Sequence, residues 1–222
     1  MELTSIEIFG VTVLEPSATA TDLVVSAVCL YAFIKLKKVN RKDKAFKYFN
    51  YFFLTMSIAT LFGGLFGHAF FNNNFLLKLP GWITSMFSIS LLERASIKHA
   101  KSWMPKKIAK IYEIANIVEL FVVMTITFVS LDFFYVEIHS GFGMLAVILP
   151  VQGYVFLKTR NKGSGLFLTG VGIMIISAII FMNKIAIHAW FDHLAISHTL
   201  MAIAAYVFYK ATYNVKSYET FK

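Results

Sequence analysis

The chain has 222 residues, of which 58% are hydrophobic and 15% charged, with a formal net charge of +9. Soluble domains are roughly 45–50% apolar and about 25% charged, so a soluble enzyme, a disordered chain and a secreted disulfide scaffold are excluded as first readings. The single cysteine, Cys29, excludes an intrachain disulfide and a paired-cysteine metal knuckle.

The opening residues, MELTSIEIFG, are acidic and lack the apolar core of a signal peptide. Insertion is therefore expected to rely on the first spanning helix. A spanning helix needs about 20 mostly apolar residues, and seven runs qualify, at about 18–36, 48–71, 81–97, 111–130, 134–157, 164–183 and 188–209. The third is the weakest, because Ser85, Ser88 and Ser90 dilute it and Glu93 with Arg94 closes its apolar run early. No internal repeat or long linker divides the chain, so residues 1–222 read as a single transmembrane domain. Short connections make an antiparallel bundle the default arrangement.

Orientation follows from the basic residues. Every Lys and Arg except Lys78 and Lys184 falls in the first, third or fifth connection or in the carboxyl-terminal tail. This alternation predicts an all-α integral membrane protein, a seven-helix bundle with its amino terminus outside and its carboxyl terminus in the cytoplasm. The basic connection KLKKVNRKDKAFK then reads as topology signal and lipid headgroup contact. It belongs to no folded domain that would present it to nucleic acid.

Ionisable groups within a membrane are costly, which makes their positions informative. His68, His139, His188, His193 and His198 fall in the expected outer half, and His99 in a cytoplasmic loop. Glu15, Asp22, Asp132, Glu137 and Asp192 share the outer bias. Glu119 stands apart at mid-depth in helix four, with Glu113 nearer the cytoplasm. His198 is placed near mid-membrane in helix seven, where an unpartnered polar group is expensive. Imidazole and carboxylate at one depth suit zinc, and they equally suit a proton relay. His188 and Asp192, four apart, would share a helix face. His193 and His198, five apart, point about 140° from one another on a regular helix; the angle relaxes if Asp192 caps the helix and leaves His193 in its first turn.

Three motifs carry a family resemblance: Thr21-Asp22-Leu23 at the start of helix one, Gly63-Gly64-x-x-x-His68 near the outer end of helix two, and His193-x4-His198 opening helix seven. The chain resembles a group of bacterial seven-helix membrane proteins. More distantly, its plan is similar to the superfamily of alkaline ceramidases and progestin/adiponectin-type receptors. That resemblance implies a zinc ion held by His68, His193 and His198. It departs from the pattern in three ways: Gly64 stands where a serine is expected, four residues rather than three separate the helix-seven histidines, and helix three lacks its aspartate. Asp22 would supply the missing acid.

With three histidine ligands, an open fourth position would hold a water of lowered pKa, and Asp22 or Glu137 would act as general base. The expected activity is hydrolysis of a lipid-like amide or ester in the outer half of a bundle seated in a bacterial inner membrane. Phe66, Phe70, Phe71, Trp190 and Phe191 would suit an acyl chain, or form an ordinary interfacial belt. Alternatives are a seven-helix sensor or proton or ion conductor using the outer His/Asp/Glu cluster, and a haem protein with His68 paired to His139 or His193. A retinal protein is excluded, because helix seven carries no lysine between Lys184 and Lys210.

Overall fold

The computed structural model describes residues 4–70 and 74–215; Phe71, Lys216 and Lys222 lie outside the described residues. Seven helices are long and apolar enough to cross a membrane: α1 Pro16–Lys37, α2 Lys44–Ala69, α3 Phe75–Ala100, α4 Lys106–Ser130, α5 Phe134–Thr159, α6 Lys162–Met182 and α7 His193–Asn214. The protein is an integral membrane protein built as a seven-helix bundle.

Each expected apolar run lies within or overlaps one of these helices, but the capping residues set the boundaries. Asp43 accepts a hydrogen bond from Phe46 N at 2.9 Å and starts α2. Asn161 accepts from Gly163 N at 2.8 Å and starts α6. Both ends contain lysines beyond the apolar run, which is why hydropathy alone reads these helices short. The largest correction is at α7. Asp192 caps it, accepting from Ala195 N at 3.0 Å, and the preceding residues close a turn through a His188–Phe191 bridge. His188 is therefore off the helix, and it shares no helix face with Asp192.

Ahead of α1 is an antiparallel hairpin that the sequence reading did not anticipate, β1 Ser5–Ile8 paired with β2 Val11–Leu14. Its turn residues, Phe9 and Gly10, have φ of 51° and 78°, the positive values of a primed two-residue turn. Phenylalanine is an unusual occupant of such a position, so the sequence carried little turn signal.

α1 packs against α2 and α7, α2 against α3, and α6 against α7, while α5 bridges α3 and α6. α4 sits outside this ring against α3 and α5 and buries the smallest share of its length. The core is aromatic: Phe49 stacks on Phe167 with ring centroids 4.7 Å apart, and Phe167 meets Phe208 at 5.5 Å. Rings of this size bury large apolar areas and favour offset or tilted contact. His99 belongs to α3 rather than to a loop. It is buried, its Nδ1 lies 3.3 Å from Gln152 Oε1, and its ring packs on Trp103.

Two helices leave the α-helical path. The last turns of α2, Gly63–Ala69, and the middle of α5, Gly143–Ile148, are π-helical. Such segments lodge an extra residue in a helix and often adjoin functional sites.

Candidate metal centre

Asp22 lies about two turns into α1, His68 in the final π-helical turn of α2, and His198 five residues into α7. At about 1.5 Å per residue, His198 is then roughly 7.5 Å from its helix start rather than at mid-membrane. The three meet at the end of the bundle where α1 and α7 begin and α2 finishes. A carboxylate oxygen and one ring nitrogen from each histidine lie within 4.8 Å of one another.

Asp22 Oδ2 is 3.8 Å from His68 Nε2, and Asp22 Oδ1 is 3.7 Å from His198 Nδ1. The Asp22 side chain is 7% exposed, and among the described residues its carboxylate makes no hydrogen bond. A buried carboxylate in that state is expensive unless a cation or donor completes it. The approach of α1 and α2 depends on two glycines: a Cβ on Gly63 would stand 2.9 Å from Asp22 Oδ2, and one on Gly64 would stand 3.2 Å from both Asp22 Cβ and Thr19 O.

The His68 imidazole is held from behind. His68 Nδ1 pairs with Glu15 Oε2 at 2.7 Å, so its Nε2 is turned towards Asp22. Glu15 reaches it from the left-handed corner (φ 41°) that joins the hairpin to α1, which gives the hairpin a role in building the site. On His198 the nitrogen that faces Asp22, Nδ1, is itself 3.3 Å from Ala18 O and 3.4 Å from Thr21 Oγ1, so ligation through it would exchange the contact with that carbonyl for the metal. The ring meets that of His68 at 5.2 Å.

Of the residues singled out from sequence, the structure brings together Asp22, His68 and His198. His193, the first residue of α7, stands outside the group beside Phe181, with ring centroids 5.9 Å apart. The five-residue spacing turns it away from His198, and the cap at Asp192 does not bring it back. Glu137 lies in the first turn of α5, also outside the group. His139 is likewise separate from His68: its two nitrogens face Glu119 and the carbonyl of Met86, at 2.7 and 2.9 Å. It joins Glu93 and Glu119 in a second His/Glu group. Glu15, behind His68, and Glu93, in the second group, were named from sequence but assigned no place at a site. Glu15 precedes a helix and Glu93 ends an apolar run, so each looked like a boundary charge.

Fold and site together define a seven-helix integral membrane protein with His/Asp and His/Glu groups of metal-binding type inside its bundle. The chain belongs to the family of unknown function DUF6962, which matches residues 17–217. No curated protein matches the chain.

Proposed function

We propose that this protein is a membrane-embedded, zinc-dependent hydrolase of a lipid-like amide or ester, with Asp22, His68 and His198 as metal ligands. The observation that carries this reading is the buried Asp22 carboxylate, without a hydrogen bond among the described residues and set 3.8 and 3.7 Å from two imidazoles. Tetrahedral zinc, with bonds of about 2.0–2.2 Å, spaces its ligand atoms roughly 3.3–3.6 Å apart. The donor set and spacing fit with only small side-chain movements. Zinc so held supplies Lewis-acid polarisation of a carbonyl and acidifies a water.

The protein groups then have distinct tasks. Glu15 fixes the His68 ring by accepting a hydrogen bond from its Nδ1–H, the carboxylate–histidine arrangement common behind metal ligands. Asp22 presents separate oxygens to the two histidines; one suffices as ligand, and the other accepts the proton of the attacking water. Glu137 takes no part. Gly64, where the ceramidase-type superfamily has serine, leaves the space that Asp22 fills, so the acid comes from α1 rather than α3.

Substrate access favours a lipid. A groove of about 520 Å³ runs between α1 and α7, lined by Thr21, Val24, Val28, Thr199, Ala202, Ile203 and Tyr206. Its head is Thr21, whose hydroxyl lies 3.4 Å from His198 Nδ1. An acyl chain in this groove would bring its amide or ester linkage towards the histidines. The alternation of basic residues supports an outward-facing position for this end of the bundle, which suits a substrate drawn from the outer leaflet.

Elemental analysis of the detergent-purified chain, with an absorption spectrum on the same sample, is the first test. Zinc is expected, one equivalent of it lost in His198→Ala, together with fatty-acid release from lipid amides or esters that Asp22→Asn abolishes. Full metal content in His198→Ala, or a visible haem band, overturns the proposal.

A further inference from the structure

Glu93, Glu119 and His139 come from α3, α4 and α5, helices that contribute nothing to the Asp22 group. A carboxylate oxygen from each glutamate and a ring nitrogen of His139 lie within 4.8 Å of one another. Glu93 and His139 are both fully buried, at 0% exposure. We propose that these three residues form a second divalent-cation site in the interior of the bundle.

The hydrogen bonds around the group already orient ligands. His139 Nε2 lies 2.9 Å from Met86 O. A carbonyl only accepts, so Nε2 carries the proton and Nδ1 is the atom turned towards the carboxylates. Donation of the far ring N–H to a backbone carbonyl is the usual support of a metal-bound histidine. Glu93 is fixed in the same manner: Asn116 Nδ2 donates to its Oε2 at 3.1 Å and is itself anchored on Ser90 O and Oγ at 3.1 and 2.9 Å.

The independent observation is the other Glu93 oxygen. Oε1 is buried and has no hydrogen-bond partner among the described residues. A buried carboxylate oxygen left empty-handed costs the desolvation of that atom with nothing in return. The backbone of α5 is shaped around it. Gly143 opens the π-helical segment, and a Cβ there would stand 2.7 Å from Glu93 Oε1 and 2.5 Å from Ile89 Cγ2. Glycine at this position lets the α5 backbone pack directly against the Glu93 carboxylate.

Without an ion, a single proton bridges His139 Nδ1 and Glu119 Oε2 at 2.7 Å. Two carboxylates and at most one positive imidazole leave the group short of positive charge inside a membrane. A divalent cation makes up the deficit: it displaces the bridging proton to solvent and takes Nδ1, a Glu119 oxygen and a Glu93 oxygen as ligands. Two oxygens and one imidazole nitrogen are a mixed donor set suited to zinc or manganese.

The test is stoichiometric. Metal-stripped, detergent-purified chain is titrated with zinc and, separately, with manganese. The wild type is expected to take up two equivalents of zinc. Glu93→Gln and Glu119→Gln each lower this to one, and His68→Ala also lowers it to one, by loss at the other site. Uptake of a single equivalent by the wild type, lost in His68→Ala, overturns the second site, as does unchanged uptake in both glutamine variants. Unchanged uptake in His68→Ala with a loss in Glu93→Gln leaves the second site standing and removes the first.

Discussion

Gly63→Ala sets one methyl group against the Asp22 carboxylate and, among the described residues, against nothing else within 4 Å. Gly63 has φ −57° and ψ −52°, a conformation that alanine adopts freely. Its added Cβ would stand 2.9 Å from Asp22 Oδ2 and 3.8 Å from Cγ. Ordinary contact begins at 3.4 Å, so the carboxylate must retreat by about 0.5 Å. The carboxylate is the end of a rotatable side chain, and alanine recovers roughly 0.5–1 kcal/mol over glycine in a helix, so the fold loses little. The ligand geometry is less forgiving, because a binding constellation must hold to about 0.5 Å. A tenfold loss of zinc affinity, about 1.4 kcal/mol, is the expected result. Competition against a chelating dye reads the affinity, and thermal unfolding in the same detergent reads the fold. Affinity within twofold of wild type, with an unchanged unfolding midpoint, would refute the placement of Asp22 as a ligand.

Glu15→Gln removes the charge behind His68 and is expected to weaken zinc binding about 10–100-fold, measured by the same competition. Gly170→Ala forces a Cβ to within 2.4 Å of the Phe208 ring; overpacking of this kind costs roughly 1–3 kcal/mol, read as a lower unfolding midpoint with unchanged metal content. Acidification is expected to release metal. Imidazole nitrogens and carboxylates must shed protons to ligate, so protons compete increasingly as the pH falls, and equilibrium dialysis across a pH series would follow the loss.

The spans were legible because hydropathy and charge alternation act over twenty residues at a time. Their ends were less so, because side-chain hydrogen bonds decide them: Asp192 moves the start of α7 to His193, and with it the depth of His198. Within the site, Asp22 and His68 could be picked out from the Thr21-Asp22-Leu23 and Gly63-Gly64-x-x-x-His68 motifs. His193 was grouped with His198 by the family resemblance, against the angle of about 140° between them on a regular helix, and the structure brings Asp22 rather than His193 to His68 and His198. Glu15 depends on a hairpin whose turn has weak sequence cues. Glu93 looked like the charged end of a helix, yet α3 continues to Ala100 and carries it into the interior. Such a residue is identified only by the neighbours α4 and α5 bring to it, and single-chain hydropathy holds no information on those.

The π-helical segments give these helices an unusual relation between length and function. α2 has 26 residues, more than the roughly 20 that crossing requires, so deleting one residue from Gly63–Ala69 would leave a competent span. The π segment holds one residue more than α-helical winding needs, so losing it restores that winding with the downstream faces nearly in register. Losing a residue from the α-helical turns before it would instead rotate everything beyond by about 100°, carrying His68 away from Asp22. A one-residue deletion just before Gly143 in α5 would likewise change which backbone faces Glu93. Single-residue deletions in the α-helical turns that lead into these two segments are therefore invisible to membrane insertion and decisive for chemistry. Natural or engineered chains that differ from this one in length there would keep seven spans and lose the groups inside them.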